Sequence, residues 1–124
     1  MINLYKLVKS FGHAFRGVKE LLQTEQNAKI HLLATLLVFV FSIGFHISRV
    51  EASILFIAVI MVFALEIINT AIEKTLDLLH PHEHETVRRV KDALAGSVLI
   101  AAFIALVVAV AIFYPYVRML VDRL

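Results

Sequence analysis

The chain has no cysteine, only two prolines and only four glycines in 124 residues. Without cysteine there are no disulfides, no thiolate catalysis and no cysteine-based zinc site, and the redox compartment stays unread. The glycines, Gly12, Gly17, Gly44 and Gly96, stand too far apart to form a P-loop or a kinase glycine-rich loop. Any nucleotide chemistry must therefore proceed without a known soluble nucleotide fold. The net charge is only +2, so the basic residues read as topology signals rather than as a nucleic-acid footprint, and no nucleic-acid partner is expected.

Apolar residues are abundant: 60% of the chain is hydrophobic and its mean hydropathy is +0.87, against about 45–50% apolar content in soluble proteins. The composition predicts a single all-α integral membrane domain over residues 1–124. In residues 1–24, Ile2, Leu4, Leu7, Val8, Phe11, Phe15, Val18, Leu21 and Leu22 recur at helical spacing, with Lys6, Lys9, His13, Arg16, Lys19 and Glu20 largely between them. That pattern predicts an amphipathic helix lying in the membrane interface rather than spanning it. It lacks the continuous apolar core of a cleavable signal peptide. Gly12 and Gly17 each cost up to about 1 kcal/mol of helix propensity, which points to a kink or a close helix contact.

Three transmembrane helices are expected, over about 28–48, 52–79 and 87–114. The first rests on the run Ile30 to Ile47, flanked by Lys29 and Arg49. The second begins with Ala52 to Leu65, fourteen residues that reach only about 21 Å as a helix. A crossing needs about 20 residues, so this span must recruit part of the polar stretch that follows. The third runs from Leu94 to Phe113, and its Ala93, Ser97, Ala101, Ala105 and Ala109 recur every fourth residue. Such a small-residue ladder allows close helix approach. Tyr114, Pro115 and Tyr116 resemble an interfacial aromatic ending.

The polar stretch is Leu65 to Asp77. At 100° per residue, Glu66, Asn69, Thr70, Glu73 and Asp77 fall within a sector roughly 100° wide. Carboxylates near hydrocarbon are costly, and an intramembrane ionisable group is a functional candidate by default. Asp77 lies about 16 Å beyond Glu66 along the axis, which places it in water. His80 to Glu85 breaks the helix at Pro81. Its alternating histidines suit a solvated loop more readily than a dedicated metal site.

Orientation follows from the basic residues. Lys6, Lys9, Arg16, Lys19 and Lys29 accompany the amino-terminal segment, Lys74, Arg88, Arg89 and Lys91 flank the histidine loop, and the first loop has only Arg49. The amino terminus and the histidine loop are thus expected on the cytoplasmic side. The acids gathered there, Glu66, Glu73, Asp77 and Glu25, suit a hard divalent cation, because Mg²⁺ typically combines one or two carboxylates with substrate phosphates. Lys91 can face phosphate, and Glu66, the acid nearest the hydrocarbon, can reach a lipid hydroxyl. Phosphoryl transfer asks for this combination of positioning, charge neutralisation and a base. Two other readings of the same residues stay open: a solvated helix end with locally paired acids, and a non-enzymatic metal-binding or ion-conducting oligomer. A third, a silent lipid-binding scaffold, lacks turnover.

Glu66-Ile-Ile-Asn69-Thr-Ala-Ile-Glu73 with Asp77, followed by Lys91-Asp92-Ala-Leu-Ala-Gly-Ser-Val, resembles the signature of the small prokaryotic diacylglycerol kinase family, which includes the undecaprenol kinases. The similarity extends over nearly the whole chain. It implies a homotrimer of three-helix protomers with sites shared between neighbours, ATP with Mg²⁺ as donor system, a membrane lipid alcohol as acceptor and residence in the bacterial cytoplasmic (inner) membrane. Carried over by position, Glu66 is the general base, in a catalytic set with Asn69 and Asp92. Glu25 and Glu73 are the metal carboxylates. Lys91 and Asp92 contact the nucleotide, Asp77 belongs to the same site, Glu83 and His84 line the nucleotide, and Lys6 and His13 lie near amino-terminal nucleotide contacts. Val90, Ser97 and the pair Arg88-Arg89 depart from the usual family residues and touch packing and loop geometry. The segments Ser10 to Gly17 and Thr24 to His31 look more like the undecaprenol branch, which makes undecaprenol the expected acceptor and diacylglycerol the alternative.

Overall fold

The computed structural model describes residues 3–82 and 84–123, and those residues form four helices, α1 (Leu4–Thr24), α2 (Gln26–Gly44), α3 (Arg49–Leu79) and α4 (Glu85–Val121). The last three are long and apolar enough to cross a membrane. The expected architecture of one amphipathic helix plus three spans is therefore the one observed. Asn3 caps α1 through its side chain, which accepts from the Lys6 N–H at 3.1 Å. Leu4, Tyr5, Val8, Phe11 and Phe15 remain exposed along α1, the apolar face of a helix that rests in an interface. The helix is unbroken at Gly12 and Gly17, and a Cβ at either position would meet nothing within 4 Å. The expected close contact is thus not made within the chain. The chain leaves the helical path at Glu25, whose extended backbone (φ −96°, ψ 125°) ends α1 and starts α2.

Helix α2 stops at Gly44, earlier than its apolar run predicts. The His46 N–H donates to the Ile43 carbonyl at 3.2 Å and the Ile47 N–H to the Ser42 carbonyl at 3.3 Å. This is a Schellman ending, with His46 at φ 53° in the position that usually selects glycine. The chain then re-enters a helix at Ser48 through a capping box. The Glu51 N–H donates to Ser48 Oγ at 3.3 Å, and the Ser48 N–H donates to Glu51 Oε2 at 2.8 Å.

At the far end, α4 runs through Pro115 to Val121, where the sequence suggested an end at residue 114. Proline costs the helix one backbone hydrogen bond. Contacts from other elements hold the continuation. The Tyr116 hydroxyl donates to Glu51 Oε2 at 2.8 Å, and the Tyr116 ring lies 6.0 Å from Phe45, within a cluster that also joins Phe41 and Phe113.

The most extensive packing is between α3 and α4, with α2 laid on α3 and α1 touching both α2 and α3. The buried stripe of α3 reads Leu55, Val62, Glu66, Asn69 and Thr70, so the face that forms the core is apolar toward one end and polar toward the other. Val98 and Ala101 are the buried residues of α4. Of the small-residue ladder, Ala101 is buried and Ser97, Ala105 and Ala109 are half-buried, while Ala93 is exposed. At about 46 Å, α3 exceeds a hydrocarbon core of about 30 Å, so one end must project. Inserting bulk where α3 meets α4 should loosen this core: Ala101→Leu is expected to lower unfolding stability in detergent by about 1–3 kcal/mol. The exposed exchange Phe103→Leu should stay within about 0.5 kcal/mol in the same thermal or denaturant titration.

Candidate active site

The polar end of the α3 stripe opens into a cavity of about 320 Å³. Glu66, Asn69 and Glu73 line it from α3, Glu25 and His31 from the α1–α2 corner and α2, and Ala95, Val98 and Ala102 from α4. The small residues of α4 leave the space, and the helical period of α3 points its polar groups into it. Glu66 is 2% exposed and Asn69 7%. Glu66 Oε2 and Asn69 Oδ1 are buried without a hydrogen-bond partner among the described residues. Leaving a buried polar atom unsatisfied costs about 1–3 kcal/mol, and more for a charged group. The arrangement is thus arranged for a donor from outside the chain. An alcohol O–H aimed at Glu66 has that chemistry.

Burial falls off along the stripe: Glu66 is buried, Glu73 half-buried and Asp77 exposed. Glu73 makes no ion pair among the described residues, so the reading of a locally salt-bridged helix end does not describe it. Lys74 instead reaches Glu20 and Glu25, at 3.8 Å from each. These contacts are long and partly solvated, of the kind worth little alone, but they tie α3 to the end of α1. The Glu25 side chain makes no cap of α2 and accepts from Thr24 Oγ1 at 3.1 Å, which leaves carboxylate oxygen available at the cavity wall. Glu25 and Glu73 with the Asn69 carbonyl make an oxygen-only donor set, which fits a hard cation completed by phosphate oxygens. A closed site of three or more ligating side chains is absent among the described residues.

A second cavity, about 500 Å³, lies at the loop between α3 and α4. Asp77, His80, His84, Lys91 and Asp92 line it. Lys91 Nζ donates to Asp77 Oδ1 at 2.9 Å across the two helices. Asp92 pairs with Arg88 at 3.7 Å and borders this cavity rather than the one with Glu66. His84 Nδ1 accepts from the Thr86 N–H at 3.2 Å and so caps α4. The His80 and His84 rings are 6.2 Å apart, and no three-ligand cluster forms among the described residues. Glu83 lies outside the described residues. Lys6 and His13 sit on the exposed length of α1 and line neither cavity.

Two residues escaped the sequence reading as site members. Lys74 was counted only as a topology charge. His31 was counted only within a family-like segment, yet it lines the acid cavity and stands edge-on to Phe63, with centroids 6.5 Å apart and planes at 72°. A histidine inside an otherwise uncharged apolar run was the available signal.

Comparison with known proteins supplies a family for the chain. The family model described as prokaryotic diacylglycerol kinase matches residues 12–113. The undecaprenol kinase of Bacillus subtilis (strain 168) is 38% identical over 112 residues, covering 90% of this chain and 91% of that protein. The diacylglycerol kinase of Synechocystis is 32% identical over 110 residues, 88% of this chain and 63% of that one. The diacylglycerol kinase of Escherichia coli (strain K12) is 28% identical over 102 residues, covering 82% and 84%. With its membrane helices, its acid cavity and a match across most of its length, the chain belongs to the prokaryotic diacylglycerol kinase family.

Proposed function

We propose that the chain is an ATP- and Mg²⁺-dependent lipid kinase that phosphorylates undecaprenol to undecaprenyl phosphate, with diacylglycerol, giving phosphatidic acid, as the alternative acceptor. The observation that carries this reading is the buried, unpartnered carboxylate oxygen of Glu66 in a cavity walled by two further acids at the end of the membrane core. In the proposed reaction Glu66 accepts the proton of the lipid hydroxyl. The hydroxyl oxygen then bonds to the γ-phosphorus of ATP as the bond to the bridging oxygen breaks and ADP leaves. Asn69, one helical turn on, presents an amide that orients the hydroxyl. Glu25 and Glu73 hold the metal, which when bound neutralises charge on the phosphates. Lys91, with Asp92 beside it in sequence, offers the cation for the polyphosphate, and His84 with Asp77 borders the same loop cavity.

The site lies on the cytoplasmic face of the inner membrane in this reading, because the basic residues concentrate at α1 and at the α3–α4 loop. The working unit is a homotrimer. Lys6 and His13 border neither cavity of their own chain, so nucleotide contacts from them require a neighbouring protomer. The Bacillus relative, at 38% identity, supports undecaprenol as acceptor.

In mixed micelles with labelled ATP, wild-type protein should phosphorylate undecaprenol with a higher kcat/KM than diacylglycerol. Labelling of diacylglycerol alone would overturn the acceptor, and labelling of neither would overturn the kinase reading. Glu66→Gln should lower kcat by about 10²–10⁴, the usual contribution of a positioned base, with the oligomer unchanged on size-exclusion chromatography. Unimpaired turnover in that variant would remove Glu66 from the role of base. Lys91→Ala should raise KM for ATP by about tenfold while KM for the lipid holds, the signature of a lost nucleotide contact.

A further inference from the structure

A third cavity, about 130 Å³, lies between α2, α3 and α4 and adjoins the acid cavity. His31 and Ala102 line both. Beyond this collar the walls are hydrocarbon, from Ala34, Val59, Val62, Phe63, Ala105 and Leu106. The small cavity in turn shares Thr35, Val38, Leu55 and Val59 with a groove of about 690 Å³ between α2 and α3 that reaches Ala52 and Ser53. Measured on α3, the path runs from Glu66 to Ala52, about 21 Å toward the opposite side of the membrane.

The few hydroxyls on this path are already engaged. Thr35 Oγ1 donates to the His31 carbonyl at 2.7 Å, Ser42 Oγ to the Val38 carbonyl at 2.7 Å and Ser53 Oγ to the Arg49 carbonyl at 2.8 Å. Each spends its single O–H on its own helix, so beyond His31 the path offers no hydroxyl donor to a guest. An apolar cavity of about 150 Å³ accepts a ligand of benzene size, which is about the bulk of one isoprene unit.

From the overlap of these cavities we infer that the chain of the acceptor leaves the Glu66 cavity through the His31–Ala102 collar, seats its first isoprene unit among Val62, Phe63, Ala105 and Leu106, and continues along the α2–α3 groove. The inference rests on the lipid-kinase reading and names how that site selects its substrate class. In a polyprenol, the carbons next to the hydroxyl-bearing carbon are pure hydrocarbon. In a diacylglycerol, the next carbon carries an ester, whose carbonyl finds no hydroxyl donor past the collar and stays unsatisfied. An apolar pocket that must bury an unpaired polar group discriminates against it more strongly than against a change of one methylene.

The test narrows the pocket. Ala105→Leu should raise KM for undecaprenol tenfold or more, the scale on which one group too many is felt in an apolar pocket, with KM for ATP within about twofold of wild type. Ile104→Leu, on the exposed side of α4, should leave both constants unchanged. If wild-type protein phosphorylates undecaprenol and Ala105→Leu keeps the same lipid KM, the subsite is wrong while the kinase reading stands. If wild-type protein transfers phosphate to no lipid alcohol, both fall. A second measurement needs no variant to fold: geranylgeraniol carrying a diazirine on its first isoprene unit is photolysed with wild-type protein and the adducts are mapped by mass spectrometry. Adducts on Val62, Phe63 or Ala105, the less exposed walls of the pocket, are expected. Adducts confined to the outward-facing Ile100, Phe103 and Ile104 overturn the path.

Discussion

A carboxylate buried on the packing stripe of a membrane helix is the constraint on which this structure depends. Glu66 occupies the same face of α3 as Leu55 and Val62, so the geometry that packs the core also buries an acid. Burial of an ionisable group without a partner is unfavourable by several kcal/mol in effective terms. Close packing against it would leave no room for the donor that relieves it. Helix α4 answers with Ala95 and Ala102, whose small side chains leave a cavity here. Cohesion is then moved to the ends. On one side the Schellman turn, the capping box and the Phe41–Phe45–Phe113–Tyr116 cluster fasten α2, α3 and α4. On the other, Lys74 and the Lys91–Asp77 pair join α3 to its neighbours.

What the sequence discloses and what it conceals follow from the range of the interactions. The acidic face of α3 is a local periodicity, and the projecting length of that helix follows from counting residues against a hydrocarbon thickness. Both were legible. The Asp77–Lys91 pair joins residues 14 apart across a short loop, and the pattern showed both charges without their meeting, which depends on how α3 and α4 pack. Continuation of α4 through Pro115 was not legible, because the Tyr116–Glu51 hydrogen bond closes a separation of 65 residues. Neighbouring elements commonly re-satisfy a proline in a membrane helix, and no local pattern announces them. The early end of α2 was hidden for a different reason: a left-handed histidine ends the helix inside a run whose hydropathy continues. His31 was visible as a residue but not as a cavity wall, since its relation to Glu66 exists only once α2 packs on α3.

One rigid helix can serve chemistry at three depths because its rise is constant. Glu66, Glu73 and Asp77 are spaced by seven and four residues, so their separations along the axis are about 10 and 6 Å. A lipid hydroxyl cannot travel far into water, nor a triphosphate far into hydrocarbon. A fixed ruler between the two media lets each reactant remain where it is solvated while their reacting ends meet. The gradient along the α3 face, from buried and apolar at Leu55 to exposed and charged at Asp77, suits the reaction that the site is proposed to run. The same gradient requires the helix to be longer than the membrane is thick.

The Lys91–Asp77 pair shows how nucleotide binding can be reconciled with a folded ground state. At 2.9 Å the ammonium is already engaged and has to be released before it can meet a phosphate. Yet Asp77 is exposed and Lys91 half-buried, and ion pairs with one partner in water contribute little net stability. A polyphosphate offers more charge than a single carboxylate, so exchange of partners favours the nucleotide at small cost to the fold. Asp77 then faces the phosphates with its own negative charge, which is tolerable only near a countercharge. Glu73, which with Glu25 would hold the proposed metal, lies one turn away on the same face of α3, and Arg88 lines the same loop cavity as Lys91. In the proposed reading, the carboxylate that holds Lys91 in the absence of nucleotide would therefore also penalise nucleotide bound without its cation, and the pair would favour the complete donor over free ATP.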